Sequence, residues 1–248
     1  MEETMDNYLP FEVTQTSNGT EIKLYPERVT ESLYDKLSKE DANLGAESVK
    51  NSMQFHTIYT HLYNQCCNTN CSIKDGDEFR AVPNGNAHAS VMFINKMPTT
   101  YETRSYYSGC DRAAIFFSLI LQKLNVNRDD VYFTDLVKCS QPFHDDCVKT
   151  CFDTYLSKEI YYVQPKVIIF NGLSMLKSCA VLGIINGLPD DAKYGMIYNV
   201  TIGAYPAQVI AIYELNRVLN KTGEDYEKCK TQLWTQILTA FKASTGGQ

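Results

Sequence analysis

The stretch VYFTDLVKCSQPFHDDC, residues 131–147, decides how this chain is read. Val131, Tyr132, Phe133 and Thr134 are β-branched or aromatic, the composition of a buried strand. The run stops at an acid, Asp135, and Cys139 follows four residues later. Where parallel strands are covered by helices, ligands bind outside the carboxyl ends of those strands. An acid and a thiol at such an end are placed for chemistry.

Working outward, ASVMFIN (89–95) and KVIIFNG (166–172) are apolar runs of the same kind, and MIYNVTIGAYP (196–206) holds a fourth strand. Helical spacing occupies about 109–124, 147–163, the residues from Ser174 onward, and Ala207–Leu219. Asp225–Lys242 reads as a closing amphipathic helix carrying Leu233, Ile237, Leu238 and Phe241. Strands alternating with helices predict a three-layer α/β/α fold with a central, mostly parallel four-stranded sheet, plus an N-terminal extension. The ligand-bearing loops would be 95–108, 135–146, 172–174 and 203–207. The extension covers residues 1–45, with a short strand near Thr20–Tyr25 and a helix from an N-cap at Thr30. The α/β domain covers 46–248 and opens with a helix over Ala46–Cys66.

Charge and cysteine content narrow the classes. Of 23 basic and 29 acidic residues, 5 and 11 fall in the first fifty, leaving 18 of each in the remainder. The net charge of −6 is thus local, and a neutral domain can still carry a basic groove for DNA, because steering depends on where charge sits. No apolar run is long enough to span a bilayer, and MEETMDNYLP lacks the hydrophobic core of a signal peptide. A cytoplasmic protein without a membrane partner is expected. Neither a Walker loop nor a dinucleotide fingerprint is present, so no nucleotide cofactor is expected. Nine cysteines is a high count, and two groups stand out: Cys66, Cys67 and Cys71, then Cys139, Cys147 and Cys151. Such placement suits a metal or iron–sulfur site assembled from two distant segments. Cys110, Cys179 and Cys229 read as small core residues.

Six fragments in order carry a resemblance: VMFINKMP, SYYSG, VYFTDLVKC, a cysteine followed by YLSKEI, PKVIIFNG and AYPA. Together they resemble the iron–sulfur (family 4) uracil-DNA glycosylases. The usual run of that family is V-x-x-x-G-E-A-P-G, P-F-V-G, V-Y-x-T-N-V-V-K-C, C-x-x-Y-L-x-x-Q-I, P-K-V-I-V-x-L-G and H-P-A. The likeness covers about residues 64–215.

The resemblance implies that Cys139 and Cys151 are two ligands of a 4Fe-4S cluster, with Cys67 and Cys71 as the other pair. The family spaces that first pair C-x2-C and here it is C-x3-C, so Cys66 competes with Cys67, and Cys147 remains a candidate too. Zinc on the same ligands is the alternative cofactor. Either metal would be structural. Tyr107 matches the aromatic that stacks on the extruded base. Asp135 stands where the family's base-reading asparagine stands. An ionised carboxylate only accepts, so it would face uracil O4 with like polarity, whereas cytosine offers an N4 donor. Lys96 replaces the glutamate of G-E-A-P-G, Glu102 is the candidate for holding the attacking water, and Tyr205 replaces the histidine of H-P-A as a donor to the leaving base. Lys96 would stabilise the leaving anion or, alternatively, attack the sugar as a Schiff-base lysine. Arg104 and Lys138 are expected as phosphate contacts, and Asn171-Gly172 as a turn or phosphate site.

These substitutions predict a monomeric DNA glycosylase that excises a non-standard pyrimidine. A cytosine-type base, such as the hydroxymethylated or glucosylated cytosine of phage DNA, fits better than plain uracil. The alternative is a catalytically inactive DNA-binding or interaction module on the same fold.

Overall fold

The computed structural model describes residues 11–16, 19–24, 81, 83–86, 89–99, 108–109, 111–126, 130–139 and 145–246. The chain divides into two compact units, Met1–Cys66 and Cys67–Gln248. In the first, β1 (Phe11–Thr16) pairs antiparallel with β2 (Gly19–Leu24). The helices expected from Thr30 and over Ala46–Cys66 lie outside the described residues.

The second unit is built on a six-stranded sheet. Its elements are β3 (Val91–Asn95), α1 (Arg112–Lys123), β4 (Val131–Asp135), α2 (Asp145–Cys151), a π-helical turn (Phe152–Leu156) and α3 (Ser157–Val163). Then follow β5 (Val167–Asn171), α4 (Leu173–Val181), β6 (Ile185–Asn186), β7 (Ile197–Ile202), β8 (Tyr205–Ile212), α5 (Leu215–Leu219) and α6 (Gly223–Ser244). The spatial order is β4-β3-β5-β8-β7-β6; the first four strands are parallel, and β7 and β6 add an antiparallel flank. Three of the four expected strands form the parallel centre as β4, β3 and β5, but the one expected over 196–206 is β7 and runs antiparallel, leaving the fourth parallel place to β8.

The fourth parallel strand is β8, a segment whose sequence reads as the start of a helix. Ala207–Leu219 spaces its apolar residues helically, yet Val209, Ile210 and Ile212 are β-branched and fully buried. Flanked by β5 and β7, they need apolar side chains on both faces, which a short continuous run supplies as well as a helix would. Only Leu215–Leu219 is helical.

Alternate residues of the parallel strands face opposite layers. Val91, Phe93, Val131, Phe133, Val167, Ile169, Ile210 and Ile212 form one core with α1, α5 and α6. Phe93, Phe117 and Phe133 meet there with ring centroids 4.6 to 5.6 Å apart. The other face carries Met92, Tyr132, Ile168 and Phe170, all buried, with α4 on that side and Thr134 of β4 meeting Glu159 of α3 there. Residues 83–86 run antiparallel beside β4 through paired hydrogen bonds of Asn84 with Phe133. Gly85 makes this approach possible: its φ is +118°, and a Cβ would lie 2.1 Å from the Val131 carbonyl oxygen.

Cys179, on α4, is wholly buried, and burial pushes its thiol up from 9.0 to about 12. Its folded value lies above its unfolded one, so its contribution to stability is complete below pH 9 and is lost as pH rises towards 12. Thiol-alkylation mass spectrometry at pH 8 should leave Cys179 unmodified in the folded protein and modify it in denaturant; rapid native modification would contradict this burial. Among the described residues no helix is long and apolar enough to cross a membrane.

Candidate active site

Four polar residues close the carboxyl ends of the parallel strands. Asp135 ends β4, Asn95 ends β3 and Asn171 ends β5, while Glu214 lies two residues beyond β8. Each continues the alternation of the core-facing residues, so the four share one side of the sheet edge. Asn95 is directly paired with Asp135 in the register of β3 and β4. Pairing persists past the strands, because Leu136 N donates to Asn95 O at 2.8 Å and Val137 N to Lys96 O at 3.1 Å.

A cleft of about 640 Å³ opens over this edge, lined among others by Asn95, Lys96, Asn171, Ser174, Glu214 and Arg217. Lys96 is exposed at its wall. The Glu214 carboxylate is held by Arg217 Nε at 2.9 Å; its side chain is 29% exposed and that of Arg217 is 75% exposed. Glu214 approaches the end of β5 so closely that only glycine fits at position 172. That residue has a φ of +127°, and a Cβ would meet Glu214 Cγ at 2.9 Å. Asp111 also borders the cleft, but one of its oxygens caps α1 by accepting from Ala114 N at 2.8 Å.

Asp135 sits one strand behind the cleft wall. It is fully buried, and the equally buried Ser108 donates its hydroxyl to Oδ2. Beneath it lies a buried ionic cluster. Lys138 Nζ meets Glu159 Oε1 at 2.7 Å, Thr134 Oγ1 at 2.6 Å and the Asp135 carbonyl oxygen at 2.7 Å. Thr134 Oγ1 in turn donates to Glu159 Oε2. All three ammonium hydrogens therefore have acceptors. Lys138 is 2% exposed, so it is an internal clamp on the β4 end and not the phosphate contact expected from its loop position.

Tyr205 is not brought to this site. It is the first residue of β8, at the amino end of the sheet, and its hydroxyl donates to the Pro165 carbonyl oxygen at 3.3 Å. The carboxyl end of β8 lies roughly 23 Å away at a strand's rise per residue. Burial raises the Tyr205 phenol above its ordinary value. Because the segment after Pro206 is a strand and not a helix, the cleft receives Glu214 from β8 in its place. Glu214, Asn216 and Arg217 escape sequence reading for that reason. Reading VIAI (209–212) as a strand would have exposed Glu214 as the fourth polar strand end.

Glu102, Tyr107, Arg104, Cys67 and Cys71 lie outside the described residues. Of the expected metal ligands, Cys139 closes the loop after β4 and Cys151 ends α2, each 5% exposed. Cys147 is wholly buried one turn before Cys151. The helix widens into a π-turn immediately after Cys151, a distortion common at functional sites. Among the described residues no three potential ligands converge as a metal site, so Cys139, Cys147 and Cys151 do not form one by themselves. Buried thiols from two segments suit a soft metal or iron–sulfur centre completed by sulfur donors elsewhere in the chain.

A family model described as the uracil DNA glycosylase superfamily matches residues 82–238. The type-4 uracil-DNA glycosylase of Archaeoglobus fulgidus is 27% identical over 149 residues, spanning 58% of this chain and 74% of that protein. That of Saccharolobus solfataricus is 32% identical over 100 residues, spanning 37% of this chain and 45% of its own length.

Proposed function

Because the chain belongs to the uracil-DNA glycosylase superfamily, we propose that it is a DNA glycosylase that extrudes a cytosine-type pyrimidine and hydrolyses its N-glycosyl bond. The observation that carries the base assignment is Asp135, a carboxylate at the end of β4, paired in register with Asn95 on the cleft wall. A glycosylase must lift its target from the stack and read the Watson–Crick edge in a pocket. An ionised acid accepts from an exocyclic amino group and repels a carbonyl oxygen. A mismatch of that kind in a dry pocket costs a few kcal/mol, roughly a hundredfold in selectivity. The Ser108 hydroxyl holds the acid until the N4 amino group takes its place as donor.

The other groups take complementary parts. Lys96, exposed at the cleft wall, stabilises the negative charge that develops on the departing base. Glu102 holds the attacking water and Tyr107 stacks on the base, as the family resemblance implies. Arg217, at the cleft and tied to Glu214, offers a contact for the phosphate of the extruded nucleotide. A cleft of about 640 Å³ has the size of a small-molecule site. It leaves room for a hydroxymethyl or glucosyl substituent on the base.

Cys139 and Cys151, with Cys67 and Cys71, would hold a 4Fe-4S cluster, or zinc as the alternative, pinning the loop after β4 to α2. Such a centre supplies folding energy and no step of the hydrolysis. Cys139→Ala and Cys151→Ala should each lose bound metal, with Cys179→Ala as the control that keeps it. Elemental analysis and visible absorption check this; full metal content in Cys139→Ala would remove that residue from the ligand set.

Duplexes carrying a single uracil, cytosine, hydroxymethylcytosine or glucosylated hydroxymethylcytosine test the activity, with abasic sites revealed by alkali cleavage. Product is expected from a cytosine-type base and little from uracil. No product from any of the four would favour the inactive binding module.

A further inference from the structure

Asn95 and Asn171 end neighbouring strands, and a single backbone N–H fixes the way both amides point. Leu215 N can only donate, so the Asn171 atom that it meets at 3.0 Å is the carbonyl Oδ1. Asn171 Nδ2 then faces Asn95 and donates to its Oδ1 at 2.8 Å. Asn95 is left presenting its amino group, and not its carbonyl, on the side away from Asn171. Turning either amide over would set donor against donor or acceptor against acceptor, which the observed pairing avoids. The relay starts from a fixed point, since Leu215 is 1% exposed and packs in the main core. It ends on a half-buried residue that lines the cleft and is paired with Asp135.

We propose that Asn95 is a second base-reading residue, whose Nδ2–H group, oriented by Asn171, donates to N3 of the extruded pyrimidine. This rests on the reading of Asp135 as the acceptor for an exocyclic amino group. Along cytosine's Watson–Crick edge N4 donates and N3 accepts; along uracil's, O4 accepts and N3 donates. A carboxylate beside an amide donor complements the first order and opposes the second at both positions. Neighbouring strands run about 4.8 Å apart, a spacing that lets paired side chains reach adjacent atoms of one base edge. A lone ionised carboxylate cannot engage N3 of neutral cytosine. An amide held as a donor can, without any protonation of acid or base. Asn171 is then a positioning residue: it touches no base and sets the polarity of the residue that does.

Asn171→Asp tests this with almost no change in volume. A carboxylate at 171 accepts from both Leu215 N–H and the Asn95 amino group, so the Asn95 amide turns over and shows its carbonyl to the cleft. Duplexes with one 2′-fluoro-2′-deoxycytidine or 2′-fluoro-2′-deoxyuridine resist excision, so their affinities read base recognition apart from catalysis. Wild type should prefer the cytidine duplex, and Asn171→Asp should lower that preference about tenfold or more. Asn95→Ala, which removes the donor and leaves the Leu215–Asn171 bond, should weaken cytidine binding about tenfold and uridine binding less. The proposal is overturned by an Asn171→Asp protein with the wild-type preference, by Asn95→Ala affecting neither duplex, or by wild type binding both equally. Failure of the Asp135 reading looks different: Asp135→Asn would leave the preference intact while Asn171→Asp still shifts it.

Discussion

Lys138→Met is expected to cost about 3–5 kcal/mol of folding stability, the penalty for stranding a buried charge. Glu159 is wholly buried, and the Lys138 ammonium meets it at 2.7 Å. Methionine fills the space of the lysine stem but leaves the carboxylate without its ammonium, and Thr134 and the Asp135 carbonyl lose a donor as well. The double variant Lys138→Met with Glu159→Leu should recover most of that loss, because replacing both partners of a buried pair by apolar groups is often neutral or stabilising. Urea unfolding midpoints of the two single variants and the double variant measure the coupling. Additive losses would show that the pair does not act as a unit. Since Lys138 also holds the backbone of Asp135, the double variant should fold yet discriminate bases less sharply than the wild type.

Asp135→Asn is expected to move selectivity towards uracil by roughly a hundredfold, measured as the ratio of kcat/KM for cytosine-type and uracil-containing duplexes. Asparagine keeps the shape of the side chain and can still accept from the Ser108 hydroxyl, so the buried site survives the exchange. What changes is polarity: an amide both donates and accepts, and so meets uracil's O4 and N3–H together. The change should fall on kcat/KM for each base and leave binding to an undamaged duplex alone, because phosphate contacts carry no base information. An unchanged ratio would remove Asp135 from base reading and return it to a structural role at the end of β4.

Much of the fold is legible because three of the four parallel strands are short apolar runs ending in a polar residue. VMFIN, VYFTD and VIIFN all stop where the sequence says they should, and so Asn95, Asp135 and Asn171 fall at the carboxyl edge. The fourth parallel strand, β8, is not legible, because alanine, valine, isoleucine and leucine over 207–219 satisfy helical and buried-strand patterns alike. That double fit conceals Glu214, which only a strand over 209–212 brings to the carboxyl edge. Tyr205 is put forward by its match to the histidine of H-P-A, yet it stands at the opposite end of β8. Lys138 is hidden from the sequence for a different reason. A lysine just past a strand reads as solvated, and its partner Glu159 arrives from a helix on another face of the sheet. Nor can any local pattern reveal which way the Asn95 amide points, since that depends on a backbone N–H beyond β8.

The base that the wild-type protein frees distinguishes a cytosine-reading pocket from a uracil-reading one. A duplex mixture containing uracil, cytosine, hydroxymethylcytosine and glucosylated hydroxymethylcytosine in equal amounts would be incubated with the protein, and the released bases resolved by mass spectrometry. Free cytosine-type base, bearing its exocyclic amino group, is expected in clear excess over uracil. Uracil as the dominant product would contradict a cytosine-reading pocket.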